Sequence, residues 1–178
     1  MNAYVETVDS PAGPLTFAIN DDGALLFVSF LEGNYPTTIE EDLTREGYAC
    51  LVDTERTAAA RTQLVEYASG ARQTFDLPVV LVGTEWQQAV WTALMQVPFG
   101  ETRTYGDIAR SLGRPQASRA VGRANGTNRI PLVIPCHRII GADGSLTGFG
   151  GGLHLKTALL THEGVAPGQQ ARQLALAT

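Results

Sequence analysis

The sequence predicts an α/β fold of the α+β kind, with a small N-terminal α/β domain around an antiparallel sheet and a mainly helical C-terminal domain. Three observations support this prediction. Short β-type segments separated by turn residues fill the first 30 positions, the composition changes near Gly83-Thr84, and a pair of short helices joined by a glycine follows. A chain of 178 residues can hold two small domains. We expect a scaffold domain at residues 1–82, a second domain at residues 83–165 and a tail at residues 166–178.

The N-terminal segments are predicted to form an antiparallel meander. Three β-type segments are separated by turn signals: residues 2–8, 14–19 and 24–30. Residues 33–53 carry little signal, whereas residues 54–69 have the pattern of a helix with Thr54 as a candidate N-cap. Residues 73–82 are predicted to be extended. No chemistry is evident in this half, and Cys50 is interpreted as an ordinary small apolar residue.

Helical patterns dominate the C-terminal half. Residues 85–96 carry apolar side chains at helical spacing, and Thr84 is a suitable N-cap. A glycine-rich stretch at residues 141–152 fails the dinucleotide-binding pattern, because leucine occupies the place of the third glycine. It is either a flexible connector or a wall of backbone N–H groups around a pocket. A last helix spans residues 153–163 and stops at Gly164.

Two short helices at residues 104–124 predict a helix-turn-helix. Thr104 followed by Asp107 resembles a capping box, Gly113 permits a left-handed turn, and Pro115 suits the first turn of the second helix. The second helix combines polar or basic residues with small ones: Gln116, Ala117, Ser118, Arg119, Ala120, Gly122 and Arg123. Such a helix can approach a nucleic-acid backbone closely, although many helix pairs without a ligand share the pattern.

Charge is distributed unevenly along the chain. The net charge is −5 in total, but it is −9 over residues 1–84 and +4 over residues 85–178. This asymmetry indicates an acidic part and a basic, anion-facing part, while charge alone favours a simple solvated surface. The sequence shows no membrane-spanning run, no secretory signal and too few cysteines for a disulfide framework, so we expect a cytoplasmic protein.

The stretch IPLVIPCHRII at residues 130–140 carries the chemistry. Three polar, reactive side chains in the middle of an apolar run are costly to bury unless they are paired. Cys136 is a candidate nucleophile, and it needs a base because a free thiol is mostly protonated at neutral pH. His137 is the candidate base. Since neighbours along a strand point to opposite faces, we expect a bridging water between the two side chains.

Glu163 is the candidate residue that orients His137. A carboxylate in the last turn of a helix is disfavoured by the helix dipole by roughly 0.3–1 kcal/mol, which a nearby imidazolium or other cation would offset. Other cysteine chemistries fail on spacing. The deaminase pattern P-C-x-x-C meets isoleucine at position 139, and the sequence contains neither C-x-x-C nor H-E-x-x-H, so we expect no zinc.

These features closely resemble the O6-alkylguanine-DNA alkyltransferase family. The residues that carry the resemblance are Tyr105, Ser118-Arg119-Ala120-Val121-Gly122, Asn128, Ile134-Pro135-Cys136-His137-Arg138 and His162-Glu163-Gly164. Their order and spacing cover about residues 83–165. The resemblance implies a helix-turn-helix of the winged-helix-like type and direct-reversal DNA repair, in which a methyl or other alkyl group moves irreversibly from O6 of guanine to the protein.

The resemblance also implies the roles of residues in the reaction. Cys136 would accept the alkyl group, and the protein would act once, as a methylated-DNA–protein-cysteine methyltransferase. His137 would be the water-mediated base oriented by Glu163, and Asn128 would tie the helix-turn-helix to the active-site segment. The implied substrate pocket comprises Tyr105, Pro135, Ile139, Phe149 and Gly150. Many relatives have tyrosine in place of Phe149, which leaves the preferred alkyl size open.

The implied DNA contacts lie on the helix-turn-helix. Its second helix would enter the minor groove, Arg119 would fill the gap left by an everted base, and Tyr105 would help to rotate the damaged nucleotide. The implied DNA-binding residues are Tyr105, Ala117, Ser118, Arg119, Gly122 and Arg123. The resemblance implies a monomer that acts on double-stranded DNA containing O6-alkylguanine, with no cofactor, no metal and no membrane partner.

Three alternatives remain at the level of sequence. A non-catalytic binder of alkylated DNA would lack the acceptor cysteine, which is present here as Cys136. A methylation-responsive regulator would need a dimer or a further module, for which 178 residues leave little room. A cysteine hydrolase would turn over a small ester or peptide repeatedly.

Overall fold

The computed structural model describes residues 1–165, and the predicted tail at residues 166–178 lies outside the described residues. The described chain divides into two compact units, Met1–Leu81 and a second one that begins at Val82. The mixed α and β fold class is confirmed. Strands dominate the first unit and helices the second.

The first unit is built on a four-stranded sheet with the order β3-β2-β1-β4. Its strands are β1 (Asn2–Val8), β2 (Leu15–Asn20), β3 (Leu25–Phe30) and β4 (Ala49–Leu51). The first three strands form the predicted antiparallel meander, and β4 adds to β1 in parallel. The central strand β2 is buried at every position from Leu15 to Ile19, so both faces of the sheet are covered there, and Phe17 and Phe30 are among the fully buried side chains.

Two helices accompany this sheet: α1 (Ile39–Arg45) and α2 (Ala58–Ala68). The predicted cap at Thr54 is wrong, because Asp53 Oδ1 accepts hydrogen bonds from the backbone of Glu55 and Arg56 and holds residues 54–57 in a turn. The helix therefore begins only after Thr57. Residues 73–82 form no strand; Val79 makes an isolated bridge to Leu25.

The second unit contains α3 (Glu85–Leu94), α4 (Tyr105–Ser111), α5 (Ser118–Gly126) and α6 (Leu153–His162), with short strands β5 (Arg103–Thr104) and β6 (Ile139–Ile140). Thr84 and Thr104 form capping boxes with Gln87 and Asp107, which stop both helices from extending further back. The predicted place of Pro115 in the first turn of the second helix is wrong. Pro115 lies in the connecting turn, closed by Ala117 N–H donating to Arg114 O.

Helices α4 and α5 pack against each other and against α3 as the predicted helix-turn-helix. The turn passes through Gly113, whose φ of 69° is in the left-handed region. Both tryptophans of α3 donate from the indole N–H to carbonyls of α5: Trp86 to Ala120 at 3.3 Å and Trp91 to Ala124 at 2.8 Å. These bonds fix the rotation of α5 about its axis. Among the described residues, no helix is both long enough and apolar enough to cross a bilayer.

Candidate active site

Cys136 lies at the start of a buried 3₁₀ turn, Cys136–Arg138. This corrects the expectation that Cys136 and His137 are neighbours along a strand. Proline at 131 and 135 removes two backbone donors, and Leu132 adopts a φ of 79°, so the apolar run folds into turns instead of pairing. Every residue of this segment is nevertheless buried. A 3₁₀ turn places the Cys136 and His137 side chains about a third of a turn apart.

Glu163 accepts four hydrogen bonds at the C-terminal end of α6. Its Oε1 accepts from His137 Nε2 at 2.8 Å and from Arg138 Nη2 at 2.9 Å. Its Oε2 accepts from Arg138 Nε at 2.9 Å and from the Gly100 N–H at 3.3 Å. All of these side chains are buried. The carboxylate that the helix dipole disfavours is therefore balanced by a guanidinium, an imidazole and a backbone amide.

Ionisation within this cluster defines the tautomer of His137. Burial disfavours charge on Glu163, but hydrogen bonds from His137 and Arg138 outweigh burial and hold its pKa well below the usual range. Burial lowers the pKa of His137, even though Glu163 opposes that shift, so the ring is neutral. A neutral ring that donates to a carboxylate through Nε2 carries its lone pair on Nδ1. That nitrogen is buried and has no hydrogen-bond partner among residues 1–165.

The Cys136 thiol is protonated in the resting protein. Burial raises its pKa to about 11, while the Asn128 side chain and the positive charge of Lys156 act in the opposite direction. Within the described part of the chain, no hydrogen bond joins the thiol to the His137 ring. Asn128 also fixes the loop that carries the thiol, since its Nδ2 donates to Ile134 O at 2.8 Å and its Oδ1 accepts from Ile130 N at 3.0 Å.

Lys156 is a site residue that sequence reasoning missed. It is fully buried on α6, and its Nζ donates to the carbonyls of Ile139 at 2.5 Å and Thr147 at 2.7 Å. Burial lowers its pKa to about 8, and the charge of Cys136 opposes that shift. One signal was available, because Lys156 is the only lysine beside twelve arginines. The only lysine of the sequence, whose ammonium is a compact charge, thus lies where that charge acts on the Cys136 thiol.

Arg138 is the second residue whose role the sequence did not reveal. Besides pairing with Glu163, its Nη1 donates to Val97 O at 2.6 Å, and its guanidinium lies 5.9 Å from the centre of the Phe99 ring. Three hydrogen bonds, two to Glu163 and one to Val97 O, compensate for burying the guanidinium in the interior. Arg138 thereby keeps Glu163 ionised and leaves His137 as the neutral member of the cluster.

Tyr105 connects the helix-turn-helix to the pocket. It is the first residue of α4, and its hydroxyl donates to Thr147 O at 3.0 Å. Burial raises its pKa, and the charge of Cys136 adds to the increase, which places the phenol within electrostatic reach of the sulfur. A Cβ on Gly122 of α5 would lie 3.8 Å from the Tyr105 ring, so the small residue allows the two helices to pack closely.

The remaining predicted residues occupy two regions. Ile139 is fully buried, Pro135 is buried, Phe149 is half-buried and Gly150 is exposed in the loop that follows β6. The outer surface of α5 presents the predicted DNA contacts. Ala117, Ser118 and Gly122 are half-buried there, whereas Arg119 and Arg123 are exposed. Among residues 1–165, no group of three or more His, Cys, Asp or Glu side chains is arranged to hold a metal ion.

Comparison with known proteins identifies similarity over nearly the whole chain. Residues 85–165 match the family model described as the 6-O-methylguanine DNA methyltransferase, DNA binding domain. A methylated-DNA–protein-cysteine methyltransferase of Methanosarcina acetivorans is 42% identical over 161 residues, which is 90% of this chain and 98% of that protein. The constitutive enzyme of the same name from Bacillus subtilis is 40% identical, over 92% of this chain and 96% of that protein.

Solved structures agree with these sequence matches. The crystal structure of Mycobacterium tuberculosis OGT in complex with DNA superposes with a TM-score of 0.78 and 41% identity, over 96% of this chain and 98% of that one. The O6-methylguanine-DNA methyltransferase of Pyrococcus kodakaraensis superposes with a TM-score of 0.65 and 26% identity, over 92% and 99%. The sequence and the fold therefore both match these proteins, and this chain belongs to the methylated-DNA–protein-cysteine methyltransferase family.

Proposed function

We propose that this protein repairs DNA by transferring an alkyl group, such as methyl, from O6 of guanine to Cys136. The observation that carries the proposal is the buried thiol beside a neutral His137, whose other nitrogen is held by Glu163. This arrangement leaves one basic nitrogen in the interior next to a thiol that is protonated at rest. The proton must therefore leave the sulfur during the reaction.

The transfer is a displacement at the alkyl carbon. The thiol proton passes to His137 Nδ1 through a water, and the sulfur attacks the carbon bound to guanine O6. The S–C bond forms as the C–O6 bond breaks, and the electron pair of that bond stays on the guanine. The guanine then takes up the proton that the His137 imidazolium returns through the water, so the ring is neutral again. Glu163 stabilises the imidazolium that forms in between, and Lys156 stabilises the developing thiolate.

Substrate recognition uses both regions of the second unit. The carbonyls of Cys136 and Ile139 would accept from the guanine amine, the N–H near Gly150 would donate to O6, and Phe149 would pack against the alkyl group. On the DNA side, α5 would lie in the minor groove with Arg119 filling the space of the everted base. The exposed position of Arg119 on α5 supports this role.

Each molecule reacts once in this proposal. A thioether is stable, and Cys136 is the only cysteine among the described residues of the second unit, so no second thiol of that unit could receive the alkyl group. The acceptor must also remain a free thiol until it meets its substrate. We therefore place the protein in the cytoplasm, where the reducing environment keeps thiols free.

The test uses a DNA duplex with a single O6-methylguanine. Incubation should add the mass of one methyl group to the intact protein, and peptide mapping should locate it on Cys136. A Cys136→Ala variant should bind the lesion and remove nothing, whereas the matched Cys50→Ala variant should react like the wild type. A methyl group on any other residue, or none at all, contradicts the proposal.

The same experiment addresses the alternatives. A non-catalytic lesion binder would leave the methyl group on the DNA, and a cysteine hydrolase would release product repeatedly without gaining mass. The relatives that match about nine tenths of the chain favour neither alternative, because they are named methylated-DNA–protein-cysteine methyltransferases.

A further inference from the structure

The pocket loop at residues 146–148 is held by side chains alone. Among the described residues, Leu146, Thr147 and Gly148 make no hydrogen bond with another backbone group. Thr147 and Gly148 are also exposed. A segment of this kind has no regular structure of its own, so its position depends on whatever side chains reach its carbonyls.

Three helices each supply one such side chain. Lys156 of α6 and Tyr105 of α4 both donate to Thr147 O, at 2.7 Å and 3.0 Å. Asn125 of α5 donates through Nδ2 to Gly148 O at 3.4 Å. The two adjacent carbonyls thus receive donors from three of the helices of the second unit, α4, α5 and α6. Lys156 and Tyr105 are already part of the site, whereas Asn125 has no role so far.

Asn125 is an unusual residue for its place. It lies in the last turn of α5 with only 3% of its surface exposed. Its Oδ1 is buried and has no hydrogen-bond partner among residues 1–165. A buried amide with an unpaired oxygen lowers stability relative to an apolar side chain of similar size. Folding alone therefore does not explain an asparagine here.

Helix α5 presents Asn125 on the side opposite to its exposed arginines. Arg119 and Arg123 face outward, while Val121, Ala124 and Asn125 are buried. The rotation of the helix is fixed by the two tryptophan hydrogen bonds to Ala120 and Ala124. A helix that is seated on DNA by its outer face consequently carries a fixed donor on its inner face, directed at Gly148.

We propose that Asn125 is a positioning residue for alkyl transfer, which ties the DNA-binding helix α5 to the pocket loop at Gly148. It acts through the loop and touches neither the thiol nor the DNA. This inference rests on the proposed alkyl transfer. The hydrogen bond from Asn125 keeps the loop that carries Phe149 and Gly150 in a fixed position relative to the Cys136 thiol when DNA binds α5.

The test compares Asn125→Leu with the wild type. Leucine places two methyl groups where the amide oxygen and nitrogen were, which removes the unpaired buried oxygen, so the melting temperature should stay close to that of the wild type. The rate of methyl transfer at saturating duplex should fall by about 10-fold to 100-fold, because a misplacement of about 1 Å can cost that much. Free O6-alkylguanine base should lose a similar factor, and affinity for unmodified duplex should stay the same.

Two further variants make the outcome decisive. Thr127→Val is the matched control, since the Thr127 hydroxyl hydrogen-bonds at the same end of α5, to Gln87 and Ala124, without reaching the loop. It should react like the wild type. Asn125→Ala should lose the same rate as Asn125→Leu, although its smaller side chain lowers the melting temperature.

A wild-type transfer rate for Asn125→Leu, or a wild-type rate for Asn125→Ala when Asn125→Leu is slow, would overturn the inference. So would a decrease in rate that is confined to duplex substrate and accompanied by weaker DNA binding. A transfer rate that only follows the fraction of folded protein would overturn it as well. A wild-type protein that transfers no alkyl group would instead refute the proposed function. The two failures are therefore distinguishable.

Discussion

Glu163 determines the chemical state of its neighbours. A carboxylate at the end of a helix is normally unfavourable, yet here it receives four donors in the interior. Arg138 neutralises its charge, which leaves His137 uncharged and free to accept a proton on Nδ1. Glu163 thus orients the imidazole ring, whereas burial lowers the pKa of His137 and the charge of Arg138 adds to that decrease.

We predict that Glu163→Gln lowers the free energy of unfolding by about 3–5 kcal/mol at neutral pH, because the variant leaves the Arg138 charge buried and unpaired. Urea denaturation measures the difference. Glu101→Gln is the control, since the ion pair of Glu101 with Arg103 is exposed and such pairs contribute little. Equal, small losses in both variants would contradict the prediction.

The same cluster predicts the direction of the pH dependence. The folded protein lowers the pKa of both His137 and Glu163, so the unfolded chain binds more protons in acid. Stability should therefore decrease as pH falls below about 6.5, where unfolded histidine begins to protonate, and decrease more steeply below about 4.3, where unfolded glutamate does. In the Glu163→Gln variant the decrease below about pH 4.3 should be smaller, with the remainder due to other carboxylates whose pKa is lowered, such as Asp107.

At the scale of elements, α5 combines the proposed DNA-binding surface with the buried side chain of Asn125. We predict that Arg119→Ala reduces repair of duplex substrate far more than reaction with free O6-alkylguanine base, because only the duplex requires a side chain to replace the everted base in the stack. Parallel rate measurements on the two substrates test this. Arg45→Ala, a change at an exposed arginine of α1, should affect neither rate. Equal losses on both substrates would contradict the role of Arg119.

Elements with strong local signals could be predicted from the sequence. The N-cap at Thr84 and the capping box of Thr104 with Asp107 were predicted, because a cap and its partners lie within one turn of each other, whereas the capping-box role of Gln87 was not predicted. The capping box at Thr38 was missed, because α1 has only seven residues and buries two of them, which is too few to show a period. Strand β4 is three residues long and shows no period for the same reason.

Residues of the candidate site could be predicted where a short stretch of sequence singles them out, but not where they come together only through packing of distant segments. Cys136 and His137 are adjacent, and Glu163 was noticeable because the helix dipole disfavours it. By contrast, Lys156 reaches Ile139 across 17 positions and Asn125 reaches Gly148 across 23. Such contacts follow from how α5 and α6 pack, which no local pattern encodes. The 3₁₀ turn was missed because an apolar run looks the same in a strand and in a buried turn.

At the scale of the whole molecule, charge is separated along the chain. Residues 85–178 carry +4 and residues 1–84 carry −9, so attraction to DNA has to come from the helical part. We predict that the logarithm of the affinity for duplex falls linearly with the logarithm of salt concentration, with a slope of about −0.9 per neutralised phosphate.

Arg123→Ala should reduce that slope by about 1, since one phosphate contact is lost, and Arg45→Ala should leave it unchanged. Fluorescence anisotropy with labelled duplex at several salt concentrations measures both. An unchanged slope for Arg123→Ala would exclude this arginine from the DNA contacts.

The single lysine of the chain gives the protein a built-in reporter. Amine-reactive reagents have two targets in the whole sequence, the α-amine of Met1 and Nζ of Lys156. The first is accessible, while the second is fully buried and hydrogen-bonded to two carbonyls. Labelling of Lys156 therefore requires the pocket to open, and the ratio of the two products measures how often it does so. Lys156 thus reports how often the surroundings of the thiol open, without any engineered label.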